Sequence, residues 1–308
     1  MRYSNNPLEV VFMFFRHHKL ISKLCVLSAL VLALLVCWMI GRAHEAVADD
    51  YLNVPATEEE LQENFPYLAV TQLDRETELT SPAYVNLSQT QGSYEITTGG
   101  EFHLSGELNG TLFINAKEQN VHLFLDNVSI TSKSGPAIYC QDADKLVITV
   151  LSGTENIISD TGDYSVDEDA EACIYSECNM TINGDGKLTV NGYYKDAIRS
   201  KDIVKILDGI YNIKCKRTGI HGNDGVLVDG GKITISSEKY GLKTANLGAE
   251  GRGNMIISGG EFYIIAGQYA FVTTRADLLI FDCVISGHSI VNTYDVGGRQ
   301  LIQEGCVQ

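Results

Sequence analysis

Apolar and polar residues alternate in short runs along most of the chain, and these runs recur at a spacing of twenty-odd residues. A four-residue pattern combines a small residue, a large apolar residue, a variable residue, and a small or hydroxyl residue. It begins at Ala137, Cys173, Ala197, Gly219, Gly241 and Ala270. The two central steps are 22 residues each, flanked by steps of 24 and 29. Such a period indicates stacked supersecondary units rather than a fold of unique elements.

The alternation inside each unit is typical of short β-strands. Val226 and Val228 form one apolar pair, Ile233 and Ile235 form the next, and the turn 229–231 separates them. Neighbouring units repeat this arrangement, and no stretch of the region keeps the apolar spacing of a helix. We therefore predict an all-β fold, a right-handed single-stranded parallel β-helix with about 22–24 residues per turn.

Successive turns of a β-helix lie about 4.8 Å apart, so aligned positions form columns. One inward column is Ile138, Ile174, Ile198, Ile220, Leu242 and Phe271. The next residue of each strand must point outward, because side chains alternate along a strand. Tyrosine rings stack on sugars and basic groups pair with uronate carboxylates. We predict that the outward column binds carbohydrate through Tyr139, Tyr175, Arg199, His221 and Lys243; an ordinary solvated polar face is the alternative.

A second column, in the turn after this strand, is rich in acids and amides. Asp202 and Asp224 would be neighbours on adjacent turns, with Asn223 and Asn246 close by. Like charges at that distance repel unless a proton or a cation lies between them, and Ca²⁺ takes several oxygen ligands. We predict a calcium site of these four residues, with Asp196 as a weaker addition. The alternative is that the side chains are solvated or cap turn amides.

The first 48 residues are predicted to form a cytoplasmic head followed by a signal anchor or a signal peptide. A basic flank within residues 16–23 precedes sixteen uncharged residues, Cys25–Ile40, and Ala46–Ala48 offers a cleavage site. In either case the remainder is exported. The protein is then anchored at the cell surface by residues about 20–40, or secreted after cleavage near Ala48. Only this segment is expected to contact the membrane.

Residues 49–83 are polar and acidic, and they are predicted to form an extracytoplasmic spacer. The β-helix domain is predicted to span residues 84–308, which is long enough for one stable core. An acidic insertion, Asp160–Glu171, stretches one repeat to 36 residues.

Charge excludes one class of partner. Residues 49–308 carry 18 Lys and Arg against 37 Asp and Glu, a formal net charge of −19. Because nucleic-acid binding depends on basic surfaces, no nucleic-acid partner is expected. An acidic exported protein is instead a candidate for hard cations such as Ca²⁺.

Six of the eight cysteines lie outside the apolar segment. Their even number and an oxidising compartment allow a disulfide, but their spacing is not that of metal ligands. Cys173 takes the place of Ala or Gly in the repeat, which favours buried free thiols.

Several segments of the chain resemble one known family, the bacterial carbohydrate-binding-domain β-helix proteins, cell-surface relatives of pectate-lyase-like folds. The segments are Tyr94–Gly106, Leu151–Asn156, Met180–Val190, Ala197–Asp202 and Gly219–Asp224. The resemblance implies a right-handed parallel β-helix that binds calcium and polysaccharides such as cellulose or polygalacturonate. The chain departs from the family where repeats often begin Asp-Asp-Gly-Ile, since only Asp196 keeps an acid there.

Three functions are compatible with these features. The first is a non-catalytic, calcium-assisted, cell-surface protein that binds plant-type polysaccharide. The second is a polysaccharide lyase, in which Arg199 or Lys243 would remove the proton at C5 of a uronate. The third is a structural or adhesive surface stalk. No nucleophile or phosphate-loop motif is present, and the sequence does not define the oligomeric state.

Overall fold

The strands of the protein form successive coils of a β-helix, and each complete coil contains three strands. The computed structural model describes residues 58–164, 169–248 and 251–307. The early strands are β1 (Ala83–Asn86), β2 (Tyr94–Ile96), β3 (Gly100–Leu108), β4 (Leu112–Ser132) and β5 (Ile138–Val150). The later strands are β6 (Glu155–Asp160), β7 (Ala172–Ser176), β8 (Asn179–Asn183), β9 (Lys187–Gly192), β10 (Asp196–Ser200), β11 (Ile203–Ile206), β12 (Ile210–Cys215), β13 (Thr218–Gly222), β14 (Gly225–Val228), β15 (Lys232–Ser237), β16 (Tyr240–Thr244), β17 (Asn254–Ile257), β18 (Glu261–Ala266), β19 (Tyr269–Thr273), β20 (Leu278–Ile280), β21 (Val284–Ser289), β22 (Asn292–Val296) and β23 (Gln300–Ile302).

Each coil contributes one strand to each of three parallel ladders. Sheet A contains β7, β10, β13, β16, β19 and β22. Sheet B contains β8, β11, β14, β17, β20 and β23. Sheet C contains β6, β9, β12, β15, β18 and β21. The long strands β4 and β5 pass through corners and pair in more than one sheet. The parallel β-helix prediction is therefore confirmed.

The interior is built from columns of like residues, as the sequence predicts. Ile138 pairs with Ile174, and the register continues through Ile198, Ile220 and Leu242 to Phe271. All six are completely buried in one continuous apolar core. Burying each such side chain contributes about 1.5–3 kcal/mol. Because the coils repeat, the core residues of one coil have matching partners in the next.

The small residue that opens each repeat has a steric cause. A Cβ added at Gly219 would lie 2.7 Å from the carbonyl oxygen of Gly241 and 2.7 Å from Cγ2 of Ile235. That is closer than real Cβ atoms approach, so Gly219 has no room for a side chain; Gly241, whose added Cβ would lie 2.5 Å from the carbonyl oxygen of Ala270, is restricted in the same way. The spacing of small residues in the sequence follows from this packing.

A segment that precedes the strands packs against the outer face of sheet B. This segment, residues 58–78, is called the strap. It contains α1 (Glu58–Asn64), a 3₁₀ turn (Pro66–Leu68) and α2 (Gln72–Arg75). Thr71 and Asp74 form a reciprocal capping box at the start of α2, in which the Asp74 carboxylate accepts the Thr71 N–H at 2.7 Å. The helices are short, so their stability comes from packing on the sheet.

The strap covers an apolar column that points outward from sheet B. Phe65 and Leu68 pack on Leu227, Ile256 and Leu279 of successive coils. The described part of the predicted acidic spacer, residues 58–78, therefore packs on the β-helix. This packing has a physical reason: the apolar column on the outer face of sheet B would otherwise be exposed to water. The described residues all belong to one unit, Val54–Gln308.

The predicted cytoplasmic head, the hydrophobic segment and residues 49–57 lie outside the described residues. Within the described ranges, no helix is long and apolar enough to cross a membrane.

Candidate functional site

Sheet A carries the predicted carbohydrate column in the predicted register. Tyr139 pairs with Tyr175, Tyr175 with Arg199, Arg199 with His221, and His221 with Lys243. All point away from the core, but the column is recessed rather than open. The His221 side chain is only 5% exposed and that of Arg199 is 17% exposed, while Lys243 is half-buried.

The two tyrosines at the start of the column lie beneath other side chains. Tyr139 and Tyr175 form an apolar cluster with Ala170 and Ala172, with Phe113 beside it. The tyrosine rings lie 5.5 Å apart edge to face, and Tyr175 is completely buried. The expectation that both rings offer surfaces for sugars is therefore wrong for this conformation, because Ala170 of the acidic insertion packs on them.

Hydrogen bonds between buried polar groups, together with one ring contact, hold the acidic insertion against the β-helix. The Tyr164 hydroxyl donates to Asp160 at 3.1 Å and to the carbonyl of Ala172 at 2.8 Å. Asp160 also accepts the N–H of Tyr193 at 2.9 Å, and the Tyr164 ring stacks on Tyr194 at 4.1 Å. The far end of the insertion then places Glu171 beside the basic column.

Asp196 is a buried carboxylate at the centre of this face. Arg217 donates two hydrogen bonds to the Asp196 carboxylate, from Nε at 2.7 Å and from Nη2 at 2.9 Å. His221 Nδ1 lies 2.9 Å from Oδ2, and the Thr218 N–H donates at 3.0 Å. Burial raises the pKa of Asp196, but the Arg217 and His221 contacts outweigh it and hold the pKa below its usual range. Asp196 is thus an ionised anchor for two neighbouring coils.

Glu171 joins the same network from the insertion. Its carboxylate accepts hydrogen bonds from Arg217 at 2.7 Å, from Lys195 at 2.7 Å, and from Arg199. Burial raises the pKa of Glu171, but the Arg217 and Lys195 hydrogen bonds lower it to about 2. Glu171, Lys195 and Arg217 were not predicted as site residues. The sequence showed only Lys195 and Arg217 in place of paired acids, and Glu171 within a loop.

Lys243 differs from the other cations of this face. In the described part of the chain no carboxylate pairs with its ammonium, which lies 5.1 Å from the ring centre of Tyr240. Tyr240 stacks on Tyr269 of the next coil at 6.4 Å, and both rings are half-buried. Burial lowers the pKa of Lys243; the charge of Asp196 opposes this effect, and the charges of Arg217 and Arg199 add to it. A partly open cation therefore lies beside two aromatic rings that the sequence prediction missed.

Two other polar atoms of the column also lack partners. Within the described ranges, the Arg199 Nε–H is buried without an acceptor, and His221 Nε2, which is an acceptor when Nδ1–H donates to Asp196, is buried without a donor. Burial lowers the pKa of His221, so the ring is neutral at pH 7 despite its contact with Asp196. Two carboxylates, Glu171 and Asp196, then face four cations, Lys195, Arg199, Arg217 and Lys243. The face has a local excess of two positive charges on a chain of formal net charge −16.

The predicted calcium residues fall into two places. Asp196 belongs to the network above, where Arg217, His221 and a backbone N–H occupy its oxygens, so it does not join the others. Asp202 and Asp224 lie on adjacent coils, joined by a hydrogen bond from the Asp224 N–H to the Asp202 carbonyl at 2.8 Å. Asn246 and Asn223 both donate to Asp224, at 2.6 and 3.1 Å.

A cation already accompanies Asp224. Arg252 Nη1 lies 3.0 Å from Oδ2 of Asp224, and Cζ of the same guanidinium lies 5.4 Å from the centre of the Tyr67 ring. Burial raises the pKa of Asp202, and the negative charge of Asp224 raises it further. Across the described ranges, no group of three or more His, Cys, Asp or Glu side chains is arranged to hold a metal ion. Four of the predicted residues therefore come together, with Arg252 in their midst.

The fold and this face define a class of protein: a parallel β-helix scaffold with a recessed basic column flanked by tyrosines. Residues 90–293 match the family described as carbohydrate-binding domain-containing protein. This match spans more than half of the chain, which therefore belongs to that family. The resemblance predicted from the sequence is confirmed.

Two related proteins agree with this assignment. A carbohydrate-binding domain-containing protein of Acetivibrio thermocellus is 33% identical over 134 residues, which are 42% of this chain and 47% of the relative. The match thus spans about half the length of this curated relative. A solved structure, the gadolinium derivative of a polysaccharide lyase-like protein from C. thermocellum, has a TM-score of 0.70 at 28% identity. It covers 73% of this chain and 98% of that chain.

Proposed function

We propose that this protein is an extracytoplasmic, non-catalytic polysaccharide-binding protein that takes an acidic, uronate-containing chain on sheet A. The observation that carries this proposal is the unpaired charge of Lys243 within a face that has two positive charges in excess. Desolvated cations without counter-ions raise the free energy of the unliganded protein, and a carboxylate from a ligand would relieve that cost.

The neighbouring tyrosines support a sugar rather than a small anion. Tyr240 and Tyr269 present stacked rings along the helix axis, and sugar faces pack on aromatic rings while polar edges keep their hydrogen bonds. Neutral cellulose would use these rings but would leave the charge of Lys243 unmatched. We therefore favour polygalacturonate over cellulose.

Calcium would assist at a second place, near Asp202 and Asp224. Burial raises the pKa of Asp202 and repulsion from Asp224 raises it further; a divalent cation would relieve the repulsion, and Asn223 and Asn246 carry further oxygens. The donor set fits calcium only if Arg252 withdraws, since that guanidinium now supplies the positive charge. Asp196 is left out of this proposal because its oxygens are already bound. The cell-surface location, with an anchor at residues about 20–40 or cleavage near Ala48, likewise remains a proposal.

A polysaccharide lyase is the second candidate, and one observation favours it. A lysine with a lowered pKa has the property required of a general base, which must be able to lose its proton near the working pH. Arg199 is unsuited to that role because its guanidinium is already bound to Glu171. Release of unsaturated uronate from polygalacturonate, followed by ultraviolet absorbance, would establish the lyase, and its absence supports the non-catalytic proposal.

The test is retention on insoluble cellulose and on immobilised polygalacturonate, each with calcium and with a chelator. Wild-type protein is expected to bind polygalacturonate, and Lys243→Gln is expected to lose most of this binding. Lys232→Gln is the matched control, because Lys232 is exposed and lies on sheet C. Equal retention of both variants would overturn the assigned site. No retention on either matrix would overturn the binding function and favour a structural or adhesive stalk.

A further inference from the structure

One coil of sheet A departs from the repeat at its inward end position. In the five coils that follow it, this position is Ser176, Ser200, Gly222, Thr244 and Thr273. Its partner in the preceding coil is Cys140, paired with Ser176. Two hydroxyls of this column cap the turn that follows: Ser176 accepts the N–H of Cys178 at 3.2 Å, and Ser200 accepts the N–H of Asp202 at 2.9 Å. A thiol is a much weaker acceptor, so Cys140 is not explained by capping.

The residue that Cys140 faces is the second departure. In later coils the turn after the sheet A strand carries Asp202, Asp224 and Asn246. The corresponding residue in the coil next to Cys140, after Ser176, is Cys178. The two sulfur atoms lie 3.7 Å apart and both thiols are buried. Closing that separation to the covalent distance needs a movement of about 1.7 Å. Cysteines therefore occupy both of these neighbouring positions, and their sulfur atoms contact each other.

We propose that Cys140 and Cys178 form a disulfide that staples two adjacent coils and closes the loop that carries the acidic insertion. The oxidant is a disulfide of the exterior, either a small-molecule disulfide or an oxidised protein dithiol. The Cys178 thiolate attacks one sulfur of the oxidant and releases its first thiolate. Cys140, losing its proton, then attacks the Cys178 sulfur and releases the second. Two thiols are oxidised and one external disulfide is reduced to two thiols, so atoms and electrons balance.

The contacts of the pair identify the attacking thiol. The hydrogen bond from Cys140 lowers the pKa of Cys178, and the same contact, together with burial, raises the pKa of Cys140. The Ser176 hydroxyl lies 3.4 Å from the Cys178 sulfur and assists the anion. Cys178 is also the more accessible of the two, 8% exposed against 0%. Cys173, within the same insertion-bearing loop, is fully buried among apolar core residues and has no such role.

The first test is a peptide map of the full-length chain, purified reduced in detergent and incubated with oxidised glutathione. Remaining thiols are alkylated, and the protein is cleaved after Lys, Arg and Glu. Cleavage after Glu177 separates Cys173 from Cys178. The expected product is a cross-link between residues 134–145 and residues 178–187 that disappears on reduction. Full alkylation of Cys140 and Cys178 after this treatment would overturn the proposal, and so would a cross-link of either one to another cysteine.

The second test uses variants that the repeat itself suggests. Cys140→Ser restores the residue of the next two coils, and Cys173→Ala, the control, restores the alanine of positions 137 and 197. Closing a loop of this length is expected to raise the Tm of the oxidised protein by about 5–15 °C over the reduced protein. Cys173→Ala should keep this difference and Cys140→Ser should lose it. Equal differences in the two variants would contradict the staple. Failure of polysaccharide binding would leave this proposal unaffected.

Discussion

Asp74 of the strap and Asp196 of sheet A are both completely buried carboxylates held by two basic residues. Lys145 contacts Asp74, Lys205 lies 3.1 Å from it, and Thr181 donates a further hydrogen bond. Burial raises the pKa of Asp74, but Lys145 and Thr181 outweigh it and hold the pKa below its usual range. Arg217 and His221 act in the same way on Asp196.

The surroundings of the two carboxylates differ. Asp74 joins residues more than 100 positions away in the chain, and the strap seals the cluster. Asp196 joins residues 21 to 25 positions away, within the stack of coils. In the described part of the chain, its cluster extends to Lys243 and to two buried atoms without a hydrogen-bond partner, Arg199 Nε and His221 Nε2. A perturbed pKa and an excess of cations over carboxylates are therefore common to both, whereas a half-buried cation without a carboxylate partner, Lys243, belongs only to the Asp196 cluster of the two. This difference separates an attachment from a candidate binding site.

The largest effect is expected from Asp74→Asn. The change leaves Lys145 and Lys205 without their counter-charge under the strap, at a cost of about 3–5 kcal/mol in the free energy of unfolding. The Tm should fall by about 6–20 °C, with polygalacturonate affinity of the folded protein unchanged. Asp229→Asn is the control, since Asp229 forms an exposed pair with Arg75 at 4.0 Å, and its cost should stay below about 1 kcal/mol. An unchanged Tm in Asp74→Asn would contradict the structural role of Asp74 in attaching the strap.

Lys243→Gln tests the other half. Loss of a charge-assisted contact to the ligand should weaken oligogalacturonate binding about 10–100-fold in a calorimetric titration, which corresponds to about 1.4–2.7 kcal/mol. The Tm should stay constant or rise, because the variant no longer buries an unpaired ammonium. A large fall in Tm with unchanged affinity would mean that Lys243 is structural, like Lys205.

Alkaline pH should weaken the same binding. Burial lowers the pKa of Lys243 from its usual value, so its positive charge is lost as the pH rises through that lowered pKa, earlier than for an exposed lysine. Lys243→Arg keeps its charge throughout and should retain affinity where the wild type loses it. Parallel affinity curves for the two proteins would show that another group is responsible.

Acidic pH probes Glu171. Its folded-state pKa of about 2 lies below the ordinary 4.5, so its contribution to stability is present above about pH 4.5. That contribution is lost as the pH falls towards 2. Glu171→Gln should therefore lower the unfolding free energy by about 1–3 kcal/mol at pH 7, and the deficit should shrink between pH 4.5 and 2. Glu261→Gln, which breaks the exposed pair with Lys232, is expected to show little deficit at either pH. A deficit for Glu171→Gln that is constant with pH would contradict the ion-pair account.

The smallest effect concerns calcium. Saturating Ca²⁺ is expected to raise the Tm by about 2–5 °C. Asp202→Asn should abolish the rise, and Arg252→Gln should enlarge it by removing the competing cation. Asp185→Asn, a change at an exposed turn, is the control and should leave the rise intact. An equal rise in all three variants would place any calcium elsewhere.

Sequence patterns predict the part of this structure that repeats. The column from Ile138 to Phe271 and the order Arg199, His221, Lys243 follow from register alone, because each coil stacks on its neighbour. The strap was missed although signals existed. Leu61, Phe65 and Leu68 have helical spacing, and the unbroken apolar runs Val226–Val228 and Met255–Ile257 indicate strands buried on both faces.

The repeat pattern of the sequence does not predict how exposed each site residue is or which charged residues pair with one another. Ala170 covers Tyr139 and Tyr175 because an insertion folds back on the coil, and no repeat position specifies that path. Glu171 meets Arg217 across 46 residues, so its role depends on the same path. Sequence alone grouped Asp196 with the calcium residues, since alignment shows which residues share a face but not which cation each acid meets.

The central claim, that an acidic polysaccharide binds at Lys243, is tested most directly by lysine footprinting with an amine-reactive reagent and mass spectrometry. The modification rate of each lysine is measured with no sugar, with oligogalacturonate and with cello-oligosaccharide. We expect oligogalacturonate, but not cello-oligosaccharide, to protect Lys243, while Lys232 reacts at one rate throughout. Modification of Lys243 at an unchanged rate under saturating oligogalacturonate would contradict the assignment of sheet A as the binding face.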